Sequence, residues 1–229
     1  MSNQDLLAVS PALARYERDV LYGRVWGRPA LSRRDRSIVT LAALITRGQT
    51  SQITFHVGLA LDNGVTAKEV SEILTHLAFY SGWGNALSAA PFIEDVFQAH
   101  GIGTAQLPLA APELLPLDQA AEDRRASVVS DSAGPASPAL VEDTGAVLFR
   151  DLWLRPHLVP RDRSMVTVAA LITSGQFAQV TFHLGKALDN GLTTTEASEI
   201  VSHLAYYAGW PNAFSVMPIV KGVFESRAR

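Results

Sequence analysis

The chain has 229 residues, 48% of them hydrophobic and 18% charged, with a formal net charge of -3 and no cysteine. Its length and apolar content suit one large globular domain or two small ones, and a mildly acidic balance without basic blocks argues against nucleic acid as a partner. The missing thiols exclude disulfides, thiol redox chemistry, cysteine nucleophiles and thiolate metal sites.

No apolar run reaches the roughly 18 to 20 residues of a membrane span. Met1-Ser2-Asn3-Gln4-Asp5 places no positive charge ahead of an apolar core, so no secretory leader is read and a cytoplasmic location is expected.

Shifted by 127 residues, the sequence aligns with itself without a gap. Ser10-Pro11-Ala12-Leu13 matches Ser137-Pro138-Ala139-Leu140, and Trp26, Arg28 and Pro29 match Trp153, Arg155 and Pro156. From Arg34 to Gln98 against Arg161 to Glu225, about 40 of 65 positions are identical, as an internal duplication leaves. The expected organisation is a first repeat over 1–98, a Pro/Ala-rich linker over 99–136 and a second repeat over 137–229.

In chain order the signals are helical. Ser10 followed by Pro11 is an N-cap with proline at the first helical position, and opens a helix to about Gly23. A second runs from Ser32-Arg33-Arg34-Asp35 through Ile38, Val39, Leu41, Leu44 and Ile45 to Gly48, apolar enough to be buried on most sides. A third carries Gln49, Gln52 and His56 at i, i+3 and i+7, which share one helical face, and stops at Asp62-Asn63-Gly64. Thr66-Ala67-Lys68-Glu69 is a capping box for the fourth, which ends at Gly82, and Trp83 begins the last, to about Phe97. In the linker, Pro108, Pro112, Pro116 and Pro135 disfavour a continuous helix, with room for a short one around Leu117–Arg125. No alternating strand pattern occurs, so the expected fold class is all-α: two tandem helical bundles.

The stripe Gln49, Gln52, His56 recurs as Gln176, Gln179, His183, while neighbours drift: Ser51 against Ala178, Leu59 against Lys186. Each histidine is either a satisfied core residue or a group that moves a proton near neutral pH. Arg36 and Arg163 either pair along their helix with Asp35 and Asp162 or fix a substrate carboxylate. Glu72 and His76, like Glu199 and His203, stand four apart. Such a pair forms a structural contact, orients an imidazole or supplies two arms of a metal site. A third metal ligand could come only from His56 within the repeat, and no metal site is expected. Trp83 and Trp210 are candidate pocket walls; Asn85 and Asn212 are candidate caps of the last helix.

These residues resemble the carboxymuconolactone decarboxylase family. The resemblance lies in Arg-Asp-Arg-Ser with the following Val-Thr and Ala-Ala-Leu-Ile, in Phe-His before Ala-Leu and Asn-Gly, and in Glu-Ile before His-Leu-Ala, Tyr and Gly-Trp. It covers both repeats. The wider superfamily includes alkyl hydroperoxidase proteins, whose two cysteines fall here on Gln49 and Gln52 and on Gln176 and Gln179, and whose glutamate falls on Ser37 and Ser164. Thiol peroxidase chemistry is therefore excluded.

The resemblance implies an all-α alkyl hydroperoxidase-like fold assembling into rings, here a trimer of two-repeat chains equivalent to a hexamer of single repeats. It implies a cofactor-independent decarboxylase acting on a small carboxylated lactone such as 4-carboxymuconolactone. On that basis His56 and His183 would donate the proton and Arg36 and Arg163 would hold the substrate. Gln49, Gln52, Gln176, Gln179, Glu72, His76, Glu199, His203, Trp83 and Trp210 would line its site. The competing readings are a lyase or isomerase acting on another small organic acid, a non-catalytic oligomeric small-molecule binding protein, and a metal-dependent hydrolase.

Overall fold

The computed structural model describes residues 3–228. Met1 and Ser2, at the start of the segment read for a leader, and Arg229 lie outside them. The first repeat comprises α1 (Asn3–Val9) and α2 (Pro11–Arg15), which continues as a π-helical stretch, Tyr16–Val25. It goes on through α3 (Arg33–Thr46), α4 (Ile53–Asp62), α5 (Ala67–Tyr80) and α6 (Trp83–Ala99). The linker contains α7 (Gln119–Ala133). The second repeat follows the first: α8 (Pro138–Asp143) with a π-helical continuation Thr144–Phe149, then α9 (Pro160–Ser174), α10 (Phe177–Asp189), α11 (Thr194–Tyr207) and α12 (Trp210–Arg227). No strand occurs among the described residues.

The helix boundaries follow local chemistry. Ser10 Oγ accepts from the Leu13 amide at 3.4 Å and Ser32 Oγ from that of Asp35 at 3.0 Å, each satisfying an orphan donor of the first turn. Thr66 with Glu69 and Thr193 with Glu196 close complete capping boxes at the starts of α5 and α11. After α3 and α9 the chain turns through Gly48 and Gly175 at φ of 63° and 75°, a left-handed conformation that a Cβ disfavours.

Between Asp35 and Thr46, and between Asp162 and Thr173, every residue of α3 and α9 is buried. Helices covered on all sides must sit at the centre, and α3 packs directly against α9. The two expected tandem helical bundles are present and share one core. The second repeat's α11 packs on α3, the first repeat's α5 packs on α9, and one apolar cluster draws on both repeats.

Ion pairs cross at the same place. Arg34 reaches Asp162 at 2.8 Å and Arg161 reaches Asp35 at 2.8 Å, while Arg34 also pairs with Glu69 and Arg161 with Glu196. Each arginine thus joins the starts of both central helices.

The linker also departs from expectation. Pro108, Pro112 and Pro116 fall before α7 and Pro135 just after it, leaving a 15-residue helix capped by Asp118, whose carboxylate accepts from the Ala121 amide at 3.0 Å. Glu122 of that helix is buried and pairs with Arg125 at 2.7 Å and Arg150 at 3.1 Å.

Candidate active site: two half-sites, each built from both repeats

Exchange of α5 and α11 decides which residues meet. His56 on α4 lies beside the Trp26 indole, rings stacked with centroids 6.2 Å apart, and its other neighbour is Tyr207 of the second repeat, edge-on at 5.7 Å. Trp26 Nε1 donates to Tyr207 Oη at 2.9 Å, tying the two repeats. His183 reproduces this with Trp153 at 6.0 Å and Tyr80 of the first repeat at 5.4 Å, and Trp153 Nε1 donates to Tyr80 Oη at 2.9 Å.

Behind each aromatic wall sits a buried polar chain. Arg36 is 0% exposed and donates from Nη2 to Glu199 at 2.9 Å and to the Arg28 carbonyl at 2.9 Å. Its Nη1 lies 3.2 Å from Nδ1 of His203, whose Nε2 lies 2.8 Å from Thr40 Oγ1. Arginine only donates, so Nδ1 of His203 accepts and Nε2 carries the proton that goes to Thr40. Arg163 repeats the pattern with Glu72 at 3.0 Å, the Arg155 carbonyl at 3.0 Å and His76 Nδ1 at 3.4 Å, with His76 Nε2 2.7 Å from Thr167 Oγ1.

The metal reading, not expected from the sequence, would have joined Glu72 and His76 to His56 of the same repeat; the structure places His76 beside Trp153, on which His183 stacks, because α5 crosses to α9. Nor does Arg36 pair with Asp35 along its helix; Arg34 does, at 3.2 Å. The guanidinium of Arg36 already holds a carboxylate, that of Glu199, and it occupies the space between Glu199 and His203. Among the described residues no three His, Asp, Glu or Cys side chains gather as a metal-binding set.

The glutamine stripe is also redistributed. Gln49 sits ahead of a 3₁₀ turn, Thr50–Gln52, and α4 begins only at Ile53, so the helical spacing assumed for Gln49, Gln52 and His56 fails. Gln49, Gln52, Gln176 and Gln179 are all exposed, whereas the imidazoles are buried. Trp83 and Trp210 are exposed as well, at 62% and 50%. Trp210 does wall a surface cavity of about 380 Å³ with Arg28, Tyr206, Phe214 and Met217. Asn85 and Asn212 close the C-terminal ends of α3 and α9 rather than capping their own helices. Asn85 donates to the Thr46 carbonyl at 2.9 Å and Asn212 to that of Thr173 at 3.0 Å.

Spacing alone did not single out Trp26, Thr40, Arg28 and Tyr207 or their counterparts Trp153, Thr167, Arg155 and Tyr80 as one cluster. Identity in both copies is the signal that marks them.

His56 and His183 are nearly sealed, 3% and 8% exposed, and Nδ1 of each is buried without a hydrogen-bond partner. Nε of Arg36 and of Arg163 is orphaned in the same way. Burial pushes both imidazoles down to about 4, with Lys186 adding to the effect at His183, so both are neutral near pH 7. His203 is pushed down to about 3 by burial and then by Arg36, and burial lowers His76 in the same direction. Tyr207 and Tyr80 are raised by burial and keep their protons.

The half-sites are not copies. Arg155 grips Glu72 through both carboxylate oxygens, at 2.8 to 3.1 Å, and donates to the linker carbonyls of Ala110 and Leu109 at 3.0 and 3.1 Å. Its counterpart Arg28 reaches Glu199 at 3.5 Å. Tyr22 stacks on Trp26 where Phe149 stacks on Trp153, and the Arg125 guanidinium of the linker lies 4.2 Å over the Phe149 ring. Lys186 stands where the first repeat has Leu59.

A sequence profile of the carboxymuconolactone decarboxylase family matches residues 11–95 and again 138–222. A 4-carboxymuconolactone decarboxylase of Acinetobacter baylyi is 37% identical over 81 residues, 35% of this chain and 60% of that protein. A nitrosuccinic acid decarboxylase of Metarhizium robertsii is 37% identical over 68 residues, 30% of this chain and 48% of that protein. The chain thus spans about half to three-fifths of the length of these relatives. A crystal structure described as a gamma-carboxymuconolactone decarboxylase subunit, from Burkholderia xenovorans, superposes with a TM-score of 0.60 over 100% of this chain and 90% of that one. At 18% identity the likeness is one of fold.

Proposed function

The chain belongs to the carboxymuconolactone decarboxylase family, and from that premise we propose a cofactor-independent carboxy-lyase acting on a small carboxylated lactone such as 4-carboxymuconolactone. The names of the two relatives support decarboxylation as the reaction class. The observation that carries the site assignment is the repetition, in both half-sites, of a buried imidazole Nδ1 and a buried guanidinium Nε with no partner. Each such orphan costs about 1–3 kcal/mol, so a fold that keeps four of them is expected to satisfy them with a ligand.

Breaking the bond to the departing carboxylate leaves its electron pair on carbon, delocalised toward the lactone carbonyl. That oxygen needs hydrogen-bond donors, and the carbon then needs a proton. Tyr207 and Tyr80, kept protonated and edge-on to the histidines, suit the donor role. In the ligand-free protein the histidines are neutral and make weak acids. A substrate carboxylate beside Nδ1 supplies the counter-charge that burial withholds, raises the imidazole pKa and lets it take up a proton. The charged ring then hands that proton to carbon. Arg36 and Arg163 act as positioning residues in this scheme, holding Glu199 with His203 and Glu72 with His76. For the substrate to reach the imidazole, the exposed Phe55 and Phe182 rings, packed edge-on at 5.0 and 5.1 Å, must swing aside.

The test is carbon dioxide release with loss of lactone absorbance. Turnover by the native chain, abolished in the double variant His56→Ala, His183→Ala, is expected. Turnover surviving in that variant removes both histidines from the reaction, and ligand binding without carbon dioxide release leaves a binding protein. A trimer of two-repeat chains accompanies the proposal. Exposed Trp83, Leu87, Trp210, Phe214 and Met217 support it as contact surface, and equilibrium sedimentation at a single chain mass would remove it.

A further inference from the structure

Lys186 lies one turn after His183 on α10, and its ammonium sits 5.2 Å from the centre of the Trp153 ring on which His183 stacks. Residues three apart on a helix share a face, so imidazole and ammonium stand side by side over one indole. The first repeat has Leu59 at the corresponding position. No carboxylate comes within 4.0 Å of the Lys186 ammonium among the described residues. Asp189 and Asp118 face it from farther away, but Asp189 is engaged by Arg227 at 2.8 Å, and Asp118 caps α7. Burial lowers the Lys186 pKa from its ordinary value, which fits a cation short of counter-charge.

The charge balance separates the half-sites. Around His56, the guanidinium groups of Arg28 and Arg36 face the carboxylate of Glu199, which leaves one positive charge. Around His183, Arg155 and Arg163 face Glu72 with the same remainder, and Lys186 adds a cation that the first half-site lacks, with Asp118 and Asp189 only at longer range. The additional cation offers a second carboxylate a partner that the half-site around His56 does not.

We propose that the half-site around His183 is selective for dicarboxylates, with Lys186 holding the carboxylate that is retained in the reaction, whereas the half-site around His56 lacks this preference. The inference rests on the decarboxylase assignment for its reaction but not for its test. A dicarboxylic acid that loses one carboxylate still carries the other, and an ammonium beside the acid-base residue anchors that end while the first leaves. Two half-sites of different appetite then coexist in one chain.

The full chain is titrated with succinate and with butyrate, which has the same four-carbon length and one carboxylate, following the imidazole Cε1 proton resonances. His56 and His183 are assigned from His56→Gln and His183→Gln. Succinate is expected to perturb His183 at about two- to fivefold lower concentration than butyrate, the difference that one partly exposed ion pair gives. His56 is expected to show no such difference. Lys186→Leu removes the preference, Lys186→Arg retains it, and Leu59→Lys transfers it to His56. The first repeat already carries leucine at this place, so the fold accepts the exchange.

Equal preference at both histidines, a preference that survives Lys186→Leu, or succinate perturbing neither resonance overturns the proposal. Carbon dioxide release without the preference sinks this inference alone; the preference without carbon dioxide release sinks the decarboxylase assignment alone.

Discussion

Nη1 of Arg36, in the first repeat, donates to Nδ1 of His203, in the second, at 3.2 Å, and Arg163 does the same to His76 in the opposite sense. An arginine cannot accept, so this contact holds each histidine as the tautomer with its proton on Nε2, aimed at Thr40 or Thr167. Protonating Nδ1 would bring a second positive charge against the guanidinium. In the proposed mechanism these two imidazoles fix geometry, and acid-base work is assigned to His56 and His183.

Acid should destabilise the fold before its carboxylates titrate. His56 and His183 are depressed to about 4 and His203 to about 3, below the unfolded value of 6.5. The unfolded chain then binds more protons than the native one between these limits, so stability is full above about pH 6.5 and is lost as pH falls toward 4. Each imidazole contributes at most roughly 1.4 kcal/mol per pH unit. Denaturant midpoints at pH 7.5, 6 and 5 should fall progressively, and His56→Gln with His183→Gln should flatten the slope. A midpoint that stays level across this range would contradict the assigned burial.

The two glutamates should differ in cost. Glu72 is sealed between Arg155 and Arg163, so Glu72→Gln leaves two guanidinium charges uncompensated, at roughly 3–5 kcal/mol. Glu199 keeps some solvent contact, its side chain 11% exposed, and its outer arginine stands 3.5 Å away. Unfolding of Glu199→Gln should therefore occur at higher denaturant than that of Glu72→Gln. The reverse order would show that the linker clasp on Arg155 carries little weight.

The first repeat expressed alone, residues 1–98, should not persist as a folded monomer. Arg36 would lose Glu199 and His203, and α3 would lose α9 and α11. Its own Glu72 and His76 can supply the missing contacts only from a second copy, so a homodimer is the expected folded species. Light scattering distinguishes the cases, and a stable helical monomer would show that the exchange of α5 and α11 is dispensable.

The sequence carried the helices because their signals are local: Ser10 with Pro11, Ser32, the Thr66/Glu69 box and the stop at Gly48 each act within a turn or two. It also carried His56 and His183 as residues kept while Leu59 and Lys186 diverged. Which copy supplies His76 to which half-site was not legible, since spacing along α5 fixes a face but not the helix that face meets. In the first repeat the helical spacing of the glutamine stripe fails for a related reason. Helical arithmetic was extended across Gln49–Gln52, where the chain makes a tighter turn and carries those amides to the surface.

Two identical subunits meeting across a twofold axis would have to carry any substitution in both of their sites at once. Joining the copies in one polypeptide lifts that constraint: lysine at 186 with leucine at 59 alters a single chamber and leaves its sibling as it was. Because each chamber borrows walls from the other copy, neither half can be discarded while they diverge.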